Sequence, residues 1–234
     1  MMEGFIETPY FGILISIVAF EIGLYIYKKT KIPVLHPLLI SITLIILVLS
    51  IFDIQLSSYE KGGDILSLFL GPVTVALAIP LYKQIELLKK HKMPILIGIF
   101  TGVLTSFISV VALTKIFNYD IKMIYSLIPK SITTPIGIEI SQTIGGIPSI
   151  TVMAIVITGI IGAIIAPLVC KIFKIDDKVA RGIAIGTSSH AVGTAKAMEM
   201  GETEGAMSGL AMGISGLITA LLIPLLIVIF DNII

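Results

Sequence analysis

The residues best able to do chemistry cluster in Ala180–Gly201, which reads ARGIAIGTSSHAVGTAKAMEMG. This stretch holds Arg181, the only arginine, with Thr187, Ser188, Ser189, His190, Thr194, Lys196 and Glu199. Long apolar runs flank it on both sides. On a helix starting near Thr187, Thr187, His190 and Thr194 fall at i, i+3 and i+7, and Ser189, Gly193 and Lys196 at i, i+4 and i+7. Gly186 and Gly193 let the backbone approach a ligand or a second helix. Backbone N–H groups at Gly186–Ser189 would favour an anion there, and Lys196, with Arg181, adds positive charge. Hydroxyls, free N–H groups and a cation together suit a small carboxylate. His190 titrates near neutral pH and is a candidate proton carrier.

A second polar stretch, Tyr125–Ser149, carries Ser131, Thr133 and Thr134 just before Pro135. Pro135 is suited to the first turn of a helix because its φ is fixed and its missing N–H is not needed there. Glu139 and Gln142 then share a face, and Gly145, Gly146 and Pro148 end the segment. An offset of 57 residues aligns Ser131 with Ser188 and Glu139 with Lys196. The expectation is of opposite charges facing one cavity, close enough to pair, with Glu139 and His190 as proton-coupling groups. Desolvation in a membrane raises a carboxyl's affinity for its proton.

Competing readings exist for each group. Hydroxyl and small residues in membrane helices also serve as packing glue. Glu139 and Lys196 could instead snorkel to an interface, and Glu21 lies near a helix end. Met198, Met200, Met207 and Met212 suit flexible packing better than metal binding, and no cofactor or metal is expected. The lone Cys170 excludes an intrachain disulfide and a cysteine-based metal site. No H-E-x-x-H, G-x-S-x-G or phosphate-cradling loop occurs. Ser189 and His190 are adjacent, so on one helix they point about 100° apart and cannot pair as nucleophile and base. An enzyme is not expected.

The chain that positions these residues is 56% hydrophobic and 13% charged, with mean hydropathy +1.07. A soluble domain carries roughly twice that charge fraction. The class is therefore an all-α, polytopic membrane protein forming one membrane domain over residues 1–234. Nothing in it points to nucleic acid. Two N-terminal helices occupy residues 1–64 and a repeat region residues 65–234. Expected spans are Pro9–Tyr27, Leu38–Ile54, Ile65–Tyr82, Pro94–Ile116, Ile150–Phe173 and Ala206–Phe230, with a loop over Gln55–Asp64. Glu3 and Glu7 precede the first run, which reads as a retained helix and not a signal peptide. Lysine clusters at Lys28–Lys31, Lys83–Lys92 and Lys171–Arg181 place those ends in the cytoplasm and the N-terminus outside. The polar segments 125–149 and 182–205 must then enter from opposite faces, as re-entrant hairpins or broken crossings. Irregular backbone at membrane depth needs protein or a water-filled cavity around it.

The same 57-residue offset relates Thr101-Gly102, Thr158-Gly159 and Ser215-Gly216, and aligns Thr74 with Ser131 and Ser188. Three copies of a broken segment followed by an apolar helix are indicated; the first is apolar at its broken segment and can be an ordinary spanning helix, while the second and third keep the polar residues and are inverted relative to each other. Inverted repeats with discontinuous helices are a common build of secondary transporters.

Ser131-Ile132-Thr133-Thr134-Pro135-Ile136, Gly145-Gly146-Ile147-Pro148-Ser149, and Arg181-Gly182 leading into Gly186-Thr187-Ser188-Ser189-His190-Ala191-Val192-Gly193-Thr194-Ala195-Lys196 closely resemble the LrgB/CidB family. The likeness covers the chain's length and order of segments, though the N-terminal third matches only as hydrophobic pattern. Family members were first described as antiholin-like or holin-like proteins that affect murein hydrolase activity and cell lysis. They typically act beside a small LrgA/CidA-type membrane protein. Plant plastid relatives move glycolate and glycerate, and bacterial ones are linked to pyruvate. The resemblance thus implies an ion-coupled cell-membrane carrier for 2-hydroxy or 2-oxo monocarboxylates, with such a small partner and as a homo-oligomer, a dimer. Ser131, Thr133, Thr134, Ser188, Ser189 and Thr194 would bind the substrate with Lys196 and Arg181. The other reading is a regulator of lysis without carrier activity, whose polar segments are packing seams.

Overall fold

The computed structural model describes residues 2–30, 32, 35–69, 72, 75–76, 82, 85–90 and 92–231. Every regular element among them is helical. The chain packs as two compact units, Met1–Ala76 and Leu77–Ile234.

In the first unit, α1 (Met2–Ile6) leads into α2 (Pro9–Thr30), which packs against α3 (Pro37–Ile51) and α4 (Leu56–Ser67). The buried residues of α2 are Gly12, Ala19 and Gly23, while Leu14, Ile17 and Phe20 face outward. Small residues inside and large apolar ones outside are the pattern of helices that meet in lipid. Two corrections arise here. The expected loop Gln55–Asp64 is mostly α4, and the second span stops at Ile51, giving a helix of only 15 residues. Gly62 explains the helix: a Cβ there would lie 2.6 Å from the Gly12 Cα, so two glycines let α4 lie directly on α2. Lys61 clamps the join by bonding the Glu7 carboxylate at 2.6 Å. The expected span Ile65–Tyr82 begins inside α4; Gly71, Thr74 and Pro80, and with them the first copy's broken segment, lie outside the described residues, as do Lys83 and His91.

The second unit contains α5 (Ile85–Lys90), α6 (Lys92–Ile116), α7 (Ile121–Leu127), a 3-10 turn (Ile128–Ser131), α8 (Thr134–Thr143), α9 (Pro148–Ile172), α10 (Lys178–Met200) and α11 (Glu202–Asp231). Helices α2, α6, α9 and α11 are long and apolar enough to cross a membrane. At 1.5 Å per residue, the 25 residues of α6 and of α9 each extend about 37 Å, beyond a hydrocarbon core of about 30 Å. The protein is thus a polytopic helical membrane protein.

Both polar segments double back. In the first, Ser126 near its start bonds the Ile147 N–H at 2.7 Å and accepts from Thr151 through its carbonyl. The return arm lies on the same stretch of α9, with the Thr151 and Ser141 hydroxyls sharing a hydrogen bond of 2.7 Å. In the second, Gly182 and Gly186 of the first arm follow α11 in the same direction, against Glu204 and Ser208. Its second arm runs the opposite way, Thr194 bonding Ser208 at 2.9 Å and Met198 packing on Gly205. The reversal falls at His190, whose φ of 42° and ψ of −135° interrupt α10. The choice between hairpins and broken crossings is therefore settled by contacts at the arms' ends.

The inverted repeat is visible residue by residue. Asp120 caps α7 through the Met123 N–H at 2.7 Å, and Asp177 caps α10 through the Ala180 N–H at 2.8 Å (177 − 120 = 57). The breaks align too, Thr133 with His190 (190 − 133 = 57). Gly137 touches Thr151, and their counterparts Thr194 and Ser208 touch each other. Each hairpin is followed by a long helix with an internal proline, Pro167 or Pro224.

Candidate functional site

The two hairpins enter from opposite ends of α9 and their tips meet at its middle. Gly137 of the first would place a Cβ 2.5 Å from the Ile155 side chain. His190 of the second donates from Nε2 to the Ile155 carbonyl at 2.8 Å. On α6, Ser131 bonds Ser106 at 3.0 Å, and Thr187 lies over Gly102, one helical turn away. Glycines make this meeting possible. A Cβ at Gly102 would sit 2.6 Å from Thr187 Cγ2, one at Gly159 would sit 2.6 Å from His190 Cε1, and one at Gly162 would overlap Ser189. The repeated Thr/Ser-Gly pairs thus mark where long helices admit hairpin tips; Gly216 does the same for Ile136 at 3.0 Å.

Apolar clusters bracket the polar layer. One comprises Val110, Ile124, Tyr125, Ile132, Ile223 and their neighbours; the other comprises Ile95, Ile99, Ile183, Met207 and Ala211. Between them lie Ser106, Ser131, Thr187, Ser215 and Thr219, around a void of about 10 Å³. Thr187 Oγ1 is buried there without a hydrogen-bond partner.

A cavity of about 1250 Å³ runs from Pro94, Cys170 and Asp177 at one end of the unit to the tips. Its walls near the mouth are apolar. Its inner end carries Ser106, Lys130, Ser131, Thr158, Ser188 and Ser189. Lys130 donates to Ser131 Oγ at 3.1 Å, and Ser188 and Ser189 share a hydrogen bond of 3.0 Å. Lys171, Lys174 and Lys178, with Asp176, belong to the same stretch of chain as Cys170 and Asp177 at that end, and Lys92 begins α6 two residues before Pro94.

The structure brings together Ser131, Ser188 and Ser189 on the cavity and His190 beside it, buried at the tip. Thr133 and Thr134 stand at the first break, with Pro135 in the first turn of α8. Thr194 is buried on Ser208, away from the cavity, and donates to the His190 carbonyl. Lys196 pairs with Glu199 at 2.8 Å, Glu139 is exposed, and Arg181 holds the Ile175 carbonyl and Asp176. None of these three charged groups lines the cavity. Gly145 adopts φ 85° at the end of α8, Gly146 fits against Ser126 and Ser141, Gly186 abuts the Ser208 backbone, and Gly193 rests on Ile185. One expectation needs correcting: no helix begins near Thr187. Thr187–Ser189 end the first arm of a helix that starts at Lys178, so their N–H groups sit inside it. Helical spacing through His190 therefore does not define common faces, because the backbone reverses there.

Lys130 escaped the sequence reading, which weighed Ser131 and passed over its neighbour. The 57-residue offset was a usable signal: it aligns Lys130 with Thr187, at matching places in the two tips. Among the described residues, no group of His, Cys, Asp and Glu is placed to hold a metal ion.

A family model described as "LrgB-like family" matches residues 16–229. Proteins named "Antiholin-like protein LrgB" from Bacillus cereus (strain B4264) and Bacillus anthracis (strain CDC 684 / NRRL 3495) are similar to the chain. Each is 39% identical over 219 residues, which cover 93% of this chain and 95% of the relative. No solved structure matches it.

Proposed function

Because this chain belongs to the LrgB-like family, we propose that it works in the cell membrane as a carrier of small monocarboxylates such as glycolate, lactate or pyruvate. The observation behind this reading is the meeting of two inverted hairpins beside a cavity whose inner end is lined with hydroxyls. Broken helices around a central site are how many secondary carriers bind substrate at mid-depth. Ser131, Ser188 and Ser189 would bond the substrate's oxygens, and the lysines at the mouth would attract anions. His190, buried at the tip against Ile155, is the group best placed for proton coupling. Purified protein in liposomes tests this with labelled pyruvate, lactate and glycolate, with and without an inward proton gradient. Saturable uptake that grows with the gradient is expected. No uptake of any of the three, alone or with an LrgA/CidA-type partner, refutes it.

A second reading has its own support. The relatives are named antiholin-like, and that name favours a regulator of murein hydrolase activity and lysis over a carrier. In this reading the hairpin tips are a packing seam. Deleting the protein would then change lysis, while folded protein in liposomes would remain silent.

A further inference from the structure

Lys130 is the cationic side chain at the inner end of the cavity, and no carboxylate among the described residues pairs with it. Its ammonium donates to the Ser131 hydroxyl at 3.1 Å. It sits on the 3-10 turn where the first hairpin breaks, between buried Pro129 and buried Ser131. A lysine at membrane depth is costly and is usually retained for a partner or a function. The other candidate cations lie elsewhere: Lys196 is neutralised by Glu199, and Arg181 holds Asp176 and the Ile175 carbonyl. An ammonium has three donors, and Ser131 uses one. Across the cavity end stand the Ser188 and Ser189 hydroxyls, with Thr158 on α9.

We infer that Lys130 is the anion-binding charge of this cavity, holding the carboxylate of a small monoanion while Ser131 and the Ser188–Ser189 pair bond its oxygens. The inference rests on the carrier reading and names the residue that gives that site its preference for anions. A point charge on a flexible stem suits an anion that must leave as well as bind, unlike the fixed fork of an arginine. The matched position in the other tip is the neutral Thr187, so among the described residues the inner end of the cavity carries one cation, which fits one carboxylate.

The test measures lactate binding and uptake by wild type, Lys130→Met and Lys130→Arg, each purified and reconstituted. The Met variant should weaken half-saturation by about tenfold or more, a loss equivalent to about 1.4 kcal/mol, while Arg retains binding within a few-fold. A second measurement needs no variant: saturating lactate should slow acylation of Lys130 in wild-type protein, read by mass spectrometry, with Lys196 as the internal control. Uptake by the Met variant equal to wild type, or acylation of Lys130 unaffected by lactate, overturns the inference and leaves the carrier reading standing. Absence of both binding and uptake in wild type overturns the two together.

Discussion

Substituting Gly159 by alanine tests whether the hairpin tip is held on α9 as the structure indicates. The new Cβ would lie 2.6 Å from His190 Cε1, 2.9 Å from Nε2 and 3.1 Å from Val192 Cβ. Ordinary contact begins near 3.4 Å, so the ring must retreat by about 0.8 Å. Its Nε2 now bonds the Ile155 carbonyl at 2.8 Å. A retreat of that size takes the bond to about 3.6 Å, past useful range. A buried donor left without its partner costs about 1–3 kcal/mol, and overpacking costs about 1–3 kcal/mol. These overlap because one displacement causes both. Alanine's better helix propensity returns at most about 1 kcal/mol. The net expectation is a loss of up to about 3 kcal/mol against wild type and of about 1–3 kcal/mol against a glycine-to-alanine control that gains the same propensity, read by denaturant titration of purified protein in detergent. Gly213→Ala is the control, since nothing lies within 4 Å of a Cβ there, and it should be neutral or stabilising by up to about 1 kcal/mol. Equal stability of the two variants would refute the contact between Gly159 and His190.

Other consequences follow from the same geometry. His190→Gly relieves a backbone conformation costing about 1–3 kcal/mol but gives up the Ile155 bond, so its melting temperature should stay close to wild type; His190→Val, β-branched at φ 42°, should lower it clearly. Asp120→Ala and Asp177→Ala each remove an N-cap and should cost about 0.5–2 kcal/mol; because the caps are equivalent, the two losses measured by thermal melting should agree. The bonds from Lys61 and Ser58, with the Lys61 charge, hold the Glu7 carboxyl below its usual value of 4.5. A depressed carboxylate contributes stability above its unfolded value, and that contribution is lost as pH falls through the lower folded value. The stability gap between wild type and Lys61→Met should therefore be present at neutral pH and shrink as the pH falls below 4.5 through the lower folded value. A gap that does not shrink on acidification would contradict that pair.

By itself the sequence determined the class, the polar segments and the repeat. Apolar runs such as Lys92–Ile116 and Pro148–Ile172 need only length and composition to read as membrane helices, and Ser131–Ser149 and Arg181–Gly201 stand out because polarity inside such runs is costly. The offset of 57 was legible because the copies keep glycines where tips must pass. Three things were decided only in three dimensions. Gln55–Asp64 looks like a loop by its charges and glycines, yet Gly62 meets Gly12 across a separation of 50 residues (62 − 12 = 50). His190 reverses the chain, and no local propensity announces a histidine at φ 42°; its hydrogen bond to Ile155 and its fit on Gly159 hold it there. Which cation faces the cavity depended on that reversal. Helical spacing projects Lys196 onto the face of Ser189, but the turn sends it to Glu199 and leaves Lys130, on the other hairpin, at the cavity's inner end. Periodicity describes side chains along one continuous helix, and this site is assembled where two helices stop being continuous.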